Sequence, residues 1–211
     1  LKDTNGDTGS GVYVNGQITE LTYAPKITMG ATSTIEATGT GMYLAGYAET
    51  VIEDGAQIAG DITGIEIRAG KLTVNGGVIT GNGVPTSVTP NGNGTTSNGV
   101  GIAVAQHTTK QCLEVKILGG EINGYSALYE SNPQSNSADD IAKVTMDITD
   151  GKFKAINGGT NAVYSADKTG FITGGLFSTA PEKAYLAENR FIDATTDSNY
   201  PYCVTDQQPG S

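Results

Sequence analysis

The side chains that could carry out catalysis are few, and they are mostly acidic. The chain has one histidine, His107, and its only adjacent acids are the pairs Glu53-Asp54 and Asp139-Asp140. Two carboxylates that converge in a groove could hydrolyse a polysaccharide, as in glycosidases. Glu53-Asp54 falls in a glycine turn and Asp139-Asp140 in a polar loop, and His107 stands beside a polar insertion. We therefore expect all five side chains to face solvent.

Four further acids could pair only through folding. Asp147 and Asp150 could come near Glu114 or Glu121 if successive repeats stack about 5 Å apart. Such pairs could bind calcium or form a glycosidase dyad. The alternative is that these acids are staggered along the strands and face solvent, because uncompensated neighbouring acids repel one another.

A calcium loop is suggested near the N-terminus. Asp3, Asn5 and Asp7 have the alternating spacing with which such a loop begins. Thr8 stands where the loop glycine is expected, and the twelfth position is not acidic. The alternative is a flexible polar leader over residues 1–10. Calcium is the one cofactor that the sequence suggests; otherwise we expect none.

Tyrosine is abundant in a chain that has no tryptophan, with 10 Tyr residues. A tyrosine ring is apolar and carries a polar hydroxyl, so it can stack on a sugar ring at the edge of a repeat. The alternative role is packing between neighbouring repeats. The candidate glycan-binding residues are Tyr43, Tyr47, Tyr125 and Tyr129.

Composition excludes several functions. The net charge is −10 and the pI about 4.4, which disfavours nucleic acids and anionic lipid. No apolar run approaches the roughly 20 residues of a membrane span, so we expect no membrane insertion. Cys112 and Cys203 lack zinc-site spacing and are either bridged or two buried free thiols. The chain begins at Leu1, which suggests a processed fragment. The Thr/Asn/Gly/Ser-rich composition favours an extracellular, cell-surface or virion location.

A glycine-centred repeat organises the chain. Each copy has a β-branched residue three positions before the glycine, and an apolar residue follows about two positions after it. A period of about 22–24 residues explains the shorter intervals, and polar insertions at 84–99 and 131–140 explain the longer ones. The glycines are Gly55, Gly77, Gly120, Gly151 and Gly175, with Ile27–Gly30 as a degenerate copy.

A second pattern, Gly-apolar-x-apolar, precedes each of these glycines. It begins at Gly11, Gly41, Gly64 and Gly101, and more loosely at Ser126 and Asn161. Alternation with period two indicates short strands with one buried face. Such short units bury a core only when copies stack, so the sequence predicts an all-β chain.

The predicted fold is a right-handed parallel β-helix of about six coils over residues 11–179. The rival fold is an antiparallel sandwich, which would not keep a glycine frame across insertions. In the β-helix, Val74, Ile117, Ile148 and Ile172 should form one buried stack, and the insertions should lie outside the column.

The C-terminal segment, residues 180–211, is predicted to cap the column. Pro181 favours a short helix over 182–188, and a hairpin turn is expected at 197–199. The run 172–187 (ITGGLFSTAPEKAYLA) resembles the ending of right-handed, pectate-lyase-like β-helix regions in gut Firmicutes surface proteins and phage-associated proteins. It departs from their pattern at Asn189-Arg190, where they have Gly-Tyr.

The resemblance implies fold more than activity. We expect a non-enzymatic extracellular scaffold, stalk or adhesin-like module of a bacterial surface or phage particle. Its insertions would contact a glycan or a host surface protein, because binding usually occurs on loops held by a rigid frame. Self-association end to end or side by side is a further expectation. The alternative is a polysaccharide lyase or glycoside hydrolase of the β-helix class.

Overall fold

The computed structural model describes residues 9–17, 24–86 and 96–208, and these ranges are almost entirely β-structure. They hold 19 strands in three sheets, the helix α1 (Ala138–Ile141) and a 3₁₀ helix (Lys183–Tyr185). Sheet 1 contains β1 (Val12–Val14), β4 (Thr40–Leu44), β7 (Thr63–Ile67), β10 (Val100–Val104), β13 (Ser126–Glu130) and β16 (Val163–Ser165). Sheet 2 contains β2 (Lys26–Met29), β5 (Glu49–Ile52), β8 (Gly70–Val74), β11 (Leu113–Ile117) and β14 (Val144–Ile148). Sheet 3 contains β3 (Thr34–Ala37), β6 (Gln57–Gly60), β9 (Val78–Gly81), β12 (Glu121–Gly124), β15 (Lys152–Ala155), β17 (Leu176–Phe177), β18 (Phe191–Ala194) and β19 (Tyr202–Thr205).

The strand order follows a period of three. From β1 to β13, each strand pairs in parallel with the strand three places later in the chain. Antiparallel pairing in the described residues is confined to β19, which pairs with β17 and β18. The all-β prediction is confirmed, and the pairing is consistent with a β-solenoid rather than with the antiparallel sandwich.

The predicted aliphatic stack exists in sheet 2. Val74 pairs with Ile117, Ile117 with Ile148, and Ile148 with Ile172. All four side chains are at most 1% exposed. The parallel register places equivalent residues directly above one another, so each copy of the repeat adds one aliphatic residue to the core.

Sheet 3 repeats this arrangement after the turn glycines. Ile58, Ile79, Ile122, Phe153 and Phe177 pair in succession, and the two phenylalanine rings stack with centroids 5.0 Å apart. The glycine before each of them has positive φ, which an L side chain adopts only with strain. These glycines and their φ values are Gly55 83°, Gly77 81°, Gly120 89°, Gly151 113° and Gly175 109°.

The repeat frame was wrong at two places. Met29, not Ile27, pairs with Ile52, so the degenerate first copy begins two residues later than predicted. Ser126 pairs with Val100 rather than Gly101, so the looser copies of the second pattern are shifted by one residue. In the first copy Gly30 lies two residues before the position equivalent to Gly55, and in the second pattern the diagnostic glycine is missing, so the local sequence leaves the register ambiguous.

The insertions leave corners of the sheets as predicted, but they are not simply external loops. Residues 138–141 of the second insertion form α1, where the sequence predicted a polar loop. The first insertion contacts sheet 1, because the Thr63 hydroxyl donates to the Ser97 carbonyl oxygen over 2.9 Å. A third long connection, 105–112 between β10 and β11, was not predicted and adds to the longest repeat interval.

The C-terminal segment covers the last coil. The predicted helix is only the 3₁₀ turn Lys183–Tyr185, whereas the predicted hairpin exists as β18 and β19. Asn189 has φ 58°, so it takes the left-handed conformation at the position where the resembling pattern has glycine. Asparagine tolerates this conformation better than most residues, which accommodates the departure from the pattern.

Candidate functional site

One ladder of side chains on sheet 1 includes both pairs of stacked tyrosines that the structure describes. Each coil contributes one residue to this ladder, and the parallel register places Tyr13 beside Tyr43 and Tyr129 beside Tyr164. Both pairs stack, with centroids 5.5 Å and 4.7 Å apart. Between the pairs the ladder runs through Glu66 and Ala103. The parallel register therefore creates two aromatic pairs separated by two coils without a ring.

A groove of about 480 Å³ lies beside the second pair. Tyr129 and Tyr164 form part of its surface, and Tyr125 contributes a third ring. Both predicted insertions contribute residues to the lining. These are Pro85, Thr86, Thr96, Ser97 and Asn98 from the first, and Ser131 and Pro133 from the second.

Tyrosine rings and uncharged polar side chains line the groove in the part of the chain that the structure describes. Hydroxyl groups of Ser126 and Ser131 and the amide of Asn161 line it together with the tyrosine phenols. Every lining residue that the structure describes is uncharged. The three rings are half-buried, so each keeps part of its surface for a ligand. Ala103 follows Tyr129 in the ladder, so no third ring extends this stack toward Glu66.

The buried carboxylate of Glu66 binds Thr96, one of the residues that line the groove. Glu66 is 0% exposed, and its Oε1 accepts hydrogen bonds from the Thr96 amide at 3.0 Å and the Thr96 hydroxyl at 2.8 Å. Burial raises the pKa of Glu66 to about 7, although the Thr96 hydrogen bonds and the charge of Arg68 oppose the increase. The insertion thus contacts the sheet through a titratable group.

Arg68 lies next to this carboxylate and is also fully buried. Its Nη1 donates to the Tyr43 hydroxyl at 3.2 Å, and its Nε donates to the Ala105 carbonyl at 3.3 Å. Burial, with Glu66 nearby, raises the pKa of Tyr43 to about 12. His107 is 4% exposed, so the expectation that it is a surface residue was wrong. Burial and the neighbouring Arg68 lower the pKa of His107.

The structure brings together two of the four predicted tyrosines. Tyr125 and Tyr129 share the groove, whereas Tyr43 and Tyr47 are 3% and 6% exposed and present no ring face to a ligand. The predicted calcium residues Asp3, Asn5 and Asp7 lie outside the described residues. Tyr164 was not among the predicted candidates, and only the corrected register places it, together with Tyr129, on this face of the sheet.

Two of the four adjacent acids have structural partners, whereas Asp54 and Asp139 are exposed as expected. Asp140 belongs to α1 rather than to a solvated loop, and it is largely buried. It accepts hydrogen bonds from Lys110, Lys143 and Ser137 at 2.8–2.9 Å, which hold its pKa well below the usual range. Glu53 accepts a hydrogen bond from the Asn75 amide at 3.1 Å.

Lysines separate the acids that could have stacked. Asp147 pairs in register with Lys116, and Glu121 pairs with Lys152. Glu114 lies 2.7 Å from the amine of Lys116. The described residues contain no group of three or more side chains that could hold a metal ion. These acids therefore make pairwise contacts along the sheet.

The two cysteines differ from both sequence-based expectations. Cys112 is exposed and Cys203 is half-buried, and both are free thiols. They are therefore neither joined by a disulfide bridge nor both buried. Among the described residues, no helix has the length and apolarity needed to cross a membrane. Comparisons with family models, curated proteins and solved structures find no match to this chain.

Proposed function

We propose that this chain is a non-enzymatic, extracellular β-helix module that binds an uncharged saccharide in the groove between its two insertions. The observation that carries the proposal is the stacked pair Tyr129–Tyr164 at the surface of that groove. A ring fixed by stacking loses little conformational freedom when it receives a sugar face. Stacking therefore prepares the tyrosines for binding at a low entropic cost.

The lining supports an uncharged ligand. Serine hydroxyls and the Asn161 amide can donate to and accept from sugar hydroxyls. The described lining has no lysine or arginine to pair with a uronate or sulfate, and the net charge of −10 opposes anionic polymers. A neutral oligosaccharide is therefore favoured over an acidic one.

The same lining argues against the hydrolase alternative. Glycosidases place two carboxyl groups across the scissile bond, about 5–9.5 Å apart. No acidic side chain is among the described residues that line the groove, and Glu66 behind it is fully buried. The groove is suited to binding a saccharide rather than to cleaving it.

The handedness and location belong to the same proposal. Parallel crossovers between strands of one sheet are right-handed in about 98% of cases, which supports a right-handed solenoid. A rigid column that displays loop-lined grooves suits a stalk or adhesin on a cell surface or phage particle. The C-terminal resemblance to such proteins supports this placement.

The proposal predicts a selective loss of binding when Tyr164 is replaced by alanine. Titration calorimetry with a panel of neutral and uronate oligosaccharides should find binding to at least one neutral sugar. Tyr164→Ala should then weaken that binding about tenfold, the scale of one aromatic contact.

Tyr13→Ala is the matched control for this measurement. Tyr13 belongs to an equivalent stacked pair but is 54% exposed and lies outside the groove. It should leave sugar affinity unchanged. Equal losses in the two variants, or preference for uronates, would contradict the assignment of the site.

A further inference from the structure

Three described residues of the first insertion, Thr96, Ser97 and Asn98, form one side of the groove, which we call the groove wall. The wall is attached to sheet 1 through Glu66 and through Thr63, whose hydroxyl donates to the Ser97 carbonyl oxygen. Both carboxylate oxygens of Glu66 accept from the Thr96 amide, at 3.0 and 3.3 Å, and Oε1 also accepts from the Thr96 hydroxyl. Glu66, which lies 30 positions earlier in the chain, therefore holds the Thr96 end of the wall.

The surroundings of Glu66 disfavour its negative charge. The carboxylate is 0% exposed, and its only described cation within ion-pair range is Arg68, whose Nε lies 3.9 Å from Oε1. That separation is too long for a hydrogen bond. Burial deprives the carboxylate of hydration, and the charge of Arg68 at this distance offsets only part of that cost. Displacing the wall would remove the Thr96 contacts and admit water to this group.

We propose that Glu66 is a positioning residue for the groove, and that loss of its proton loosens the wall and weakens saccharide binding as pH rises. This inference rests on the proposed function of the groove. It adds a regulation of that site by pH through one named side chain. Tyr43 faces Glu66 from β4 and Arg68 faces it from its own chain segment. His107, which is near Arg68, titrates in the same region of the molecule.

The direction follows from proton linkage. Burial raises the pKa of Glu66 from 4.5 to about 7 while the wall is in place. When the wall moves away, hydration returns the pKa toward its ordinary value. Between these two pKa values, Glu66 therefore keeps its proton while the wall is in place and loses it when the wall has moved away. The equilibrium favours the wall in place most strongly below pH 4.5. This preference weakens as pH rises toward 7, by up to about tenfold per pH unit.

Hydrogen exchange at the Thr96 amide tests the inference without any ligand. Exchange should be followed by NMR on the full chain from pH 5 to pH 8, with rates corrected for the intrinsic effect of pH. The wild-type protection factor should fall at least tenfold across this range. In Glu66→Gln, whose side chain stays neutral, it should change less than threefold.

Glu49→Gln provides a charge-matched control. Glu49 is a partly exposed residue of β5 whose carboxylate lies 3.6 Å from Lys26, remote in register from the wall. This variant should keep the wild-type pH dependence. A dependence that survives in Glu66→Gln would point to His107 and overturn the proposal, as would a flat wild-type profile. If Glu66→Gln does not fold, direct carbon NMR titration of Glu66 decides, and a midpoint below pH 5 overturns the proposal.

Saccharide titrations at pH 5.5 and pH 7.5 then separate the two proposals. The neutral sugar selected by the groove should bind the wild type several-fold more weakly at pH 7.5, and should bind Glu66→Gln equally at both pH values. If no neutral sugar binds at either pH, the proposed function fails, while the Thr96 exchange data still decide the role of Glu66. If sugar binds with no pH dependence, the regulation fails and the binding function stands.

Discussion

At the scale of single residues, one polar side chain stands in an otherwise apolar ladder. Thr50 in β5 pairs with Ile27 on one side and Leu72 on the other, and it is 1% exposed. Its hydroxyl has no hydrogen-bond partner among the residues that the structure describes. A buried unsatisfied hydroxyl costs roughly 1–3 kcal/mol, so this position does not have its most stable residue.

Replacing Thr50 with valine should therefore stabilise the chain. Thr50→Val keeps the β-branched shape and removes the unsatisfied hydroxyl, so the free energy of unfolding should rise by about 1 kcal/mol. Thr63→Val is the matched control, because the buried Thr63 hydroxyl donates to the Ser97 carbonyl at 2.9 Å. It should lower stability by about 1 kcal/mol. Denaturant melts of both variants measure the difference, and effects of the same sign would refute this explanation.

At the scale of elements, the turn between sheets 2 and 3 is limited by crowding as well as by backbone conformation. Gly120 has φ 89°, and a Cβ atom there would lie 2.9 Å from the Gly76 carbonyl oxygen of the preceding coil. Gly158 has nearly the same φ, 88°, but a Cβ atom there would meet nothing within 4 Å. Both glycines therefore have a positive φ, but only Gly120 is also crowded by the neighbouring coil.

This comparison predicts different costs for the same substitution. Gly158→Ala should cost only the backbone strain of a positive φ, roughly 1–2 kcal/mol. Gly120→Ala should cost at least about 1 kcal/mol more, because the neighbouring coil must also move. Thermal and denaturant unfolding of both variants measure the two costs. If the costs are equal, contact between coils is not what limits this turn.

What the sequence could predict depends on whether a feature repeats. The aliphatic stack through Ile117 and the turn at Gly120 recur in five copies of the repeat, so each copy supports the interpretation of the others. The contact between Glu66 and Thr96 occurs once, between an alternating strand and a polar insertion, and no local pattern indicates it. Tyr125 and Tyr129 were predictable as rim residues, but their meeting with both insertions depends on the register between coils.

At the scale of the whole molecule, the C-terminal segment covers the ends of all three sheets. The Tyr185 hydroxyl donates to the carbonyl of Ser165, the last residue of β16, and Leu186 bridges to Ile172 at the end of sheet 2. In sheet 3, β19 pairs with β17 through Leu176 and Cys203. Strand edges left open can recruit other chains, so this cap should keep the last coil from pairing with other copies.

Truncation after Glu188 tests this role, since it removes the hairpin but keeps the 3₁₀ turn. The backbone of β17 would then be an open edge, and we expect association that increases with protein concentration. Sedimentation velocity over a range of concentrations measures it. Adding Leu176→Lys to the truncated chain should restore a monomer, because a lysine on an edge strand opposes pairing. A truncated chain that stays monomeric at every concentration at which the full chain is monomeric would show that the hairpin does not protect this edge.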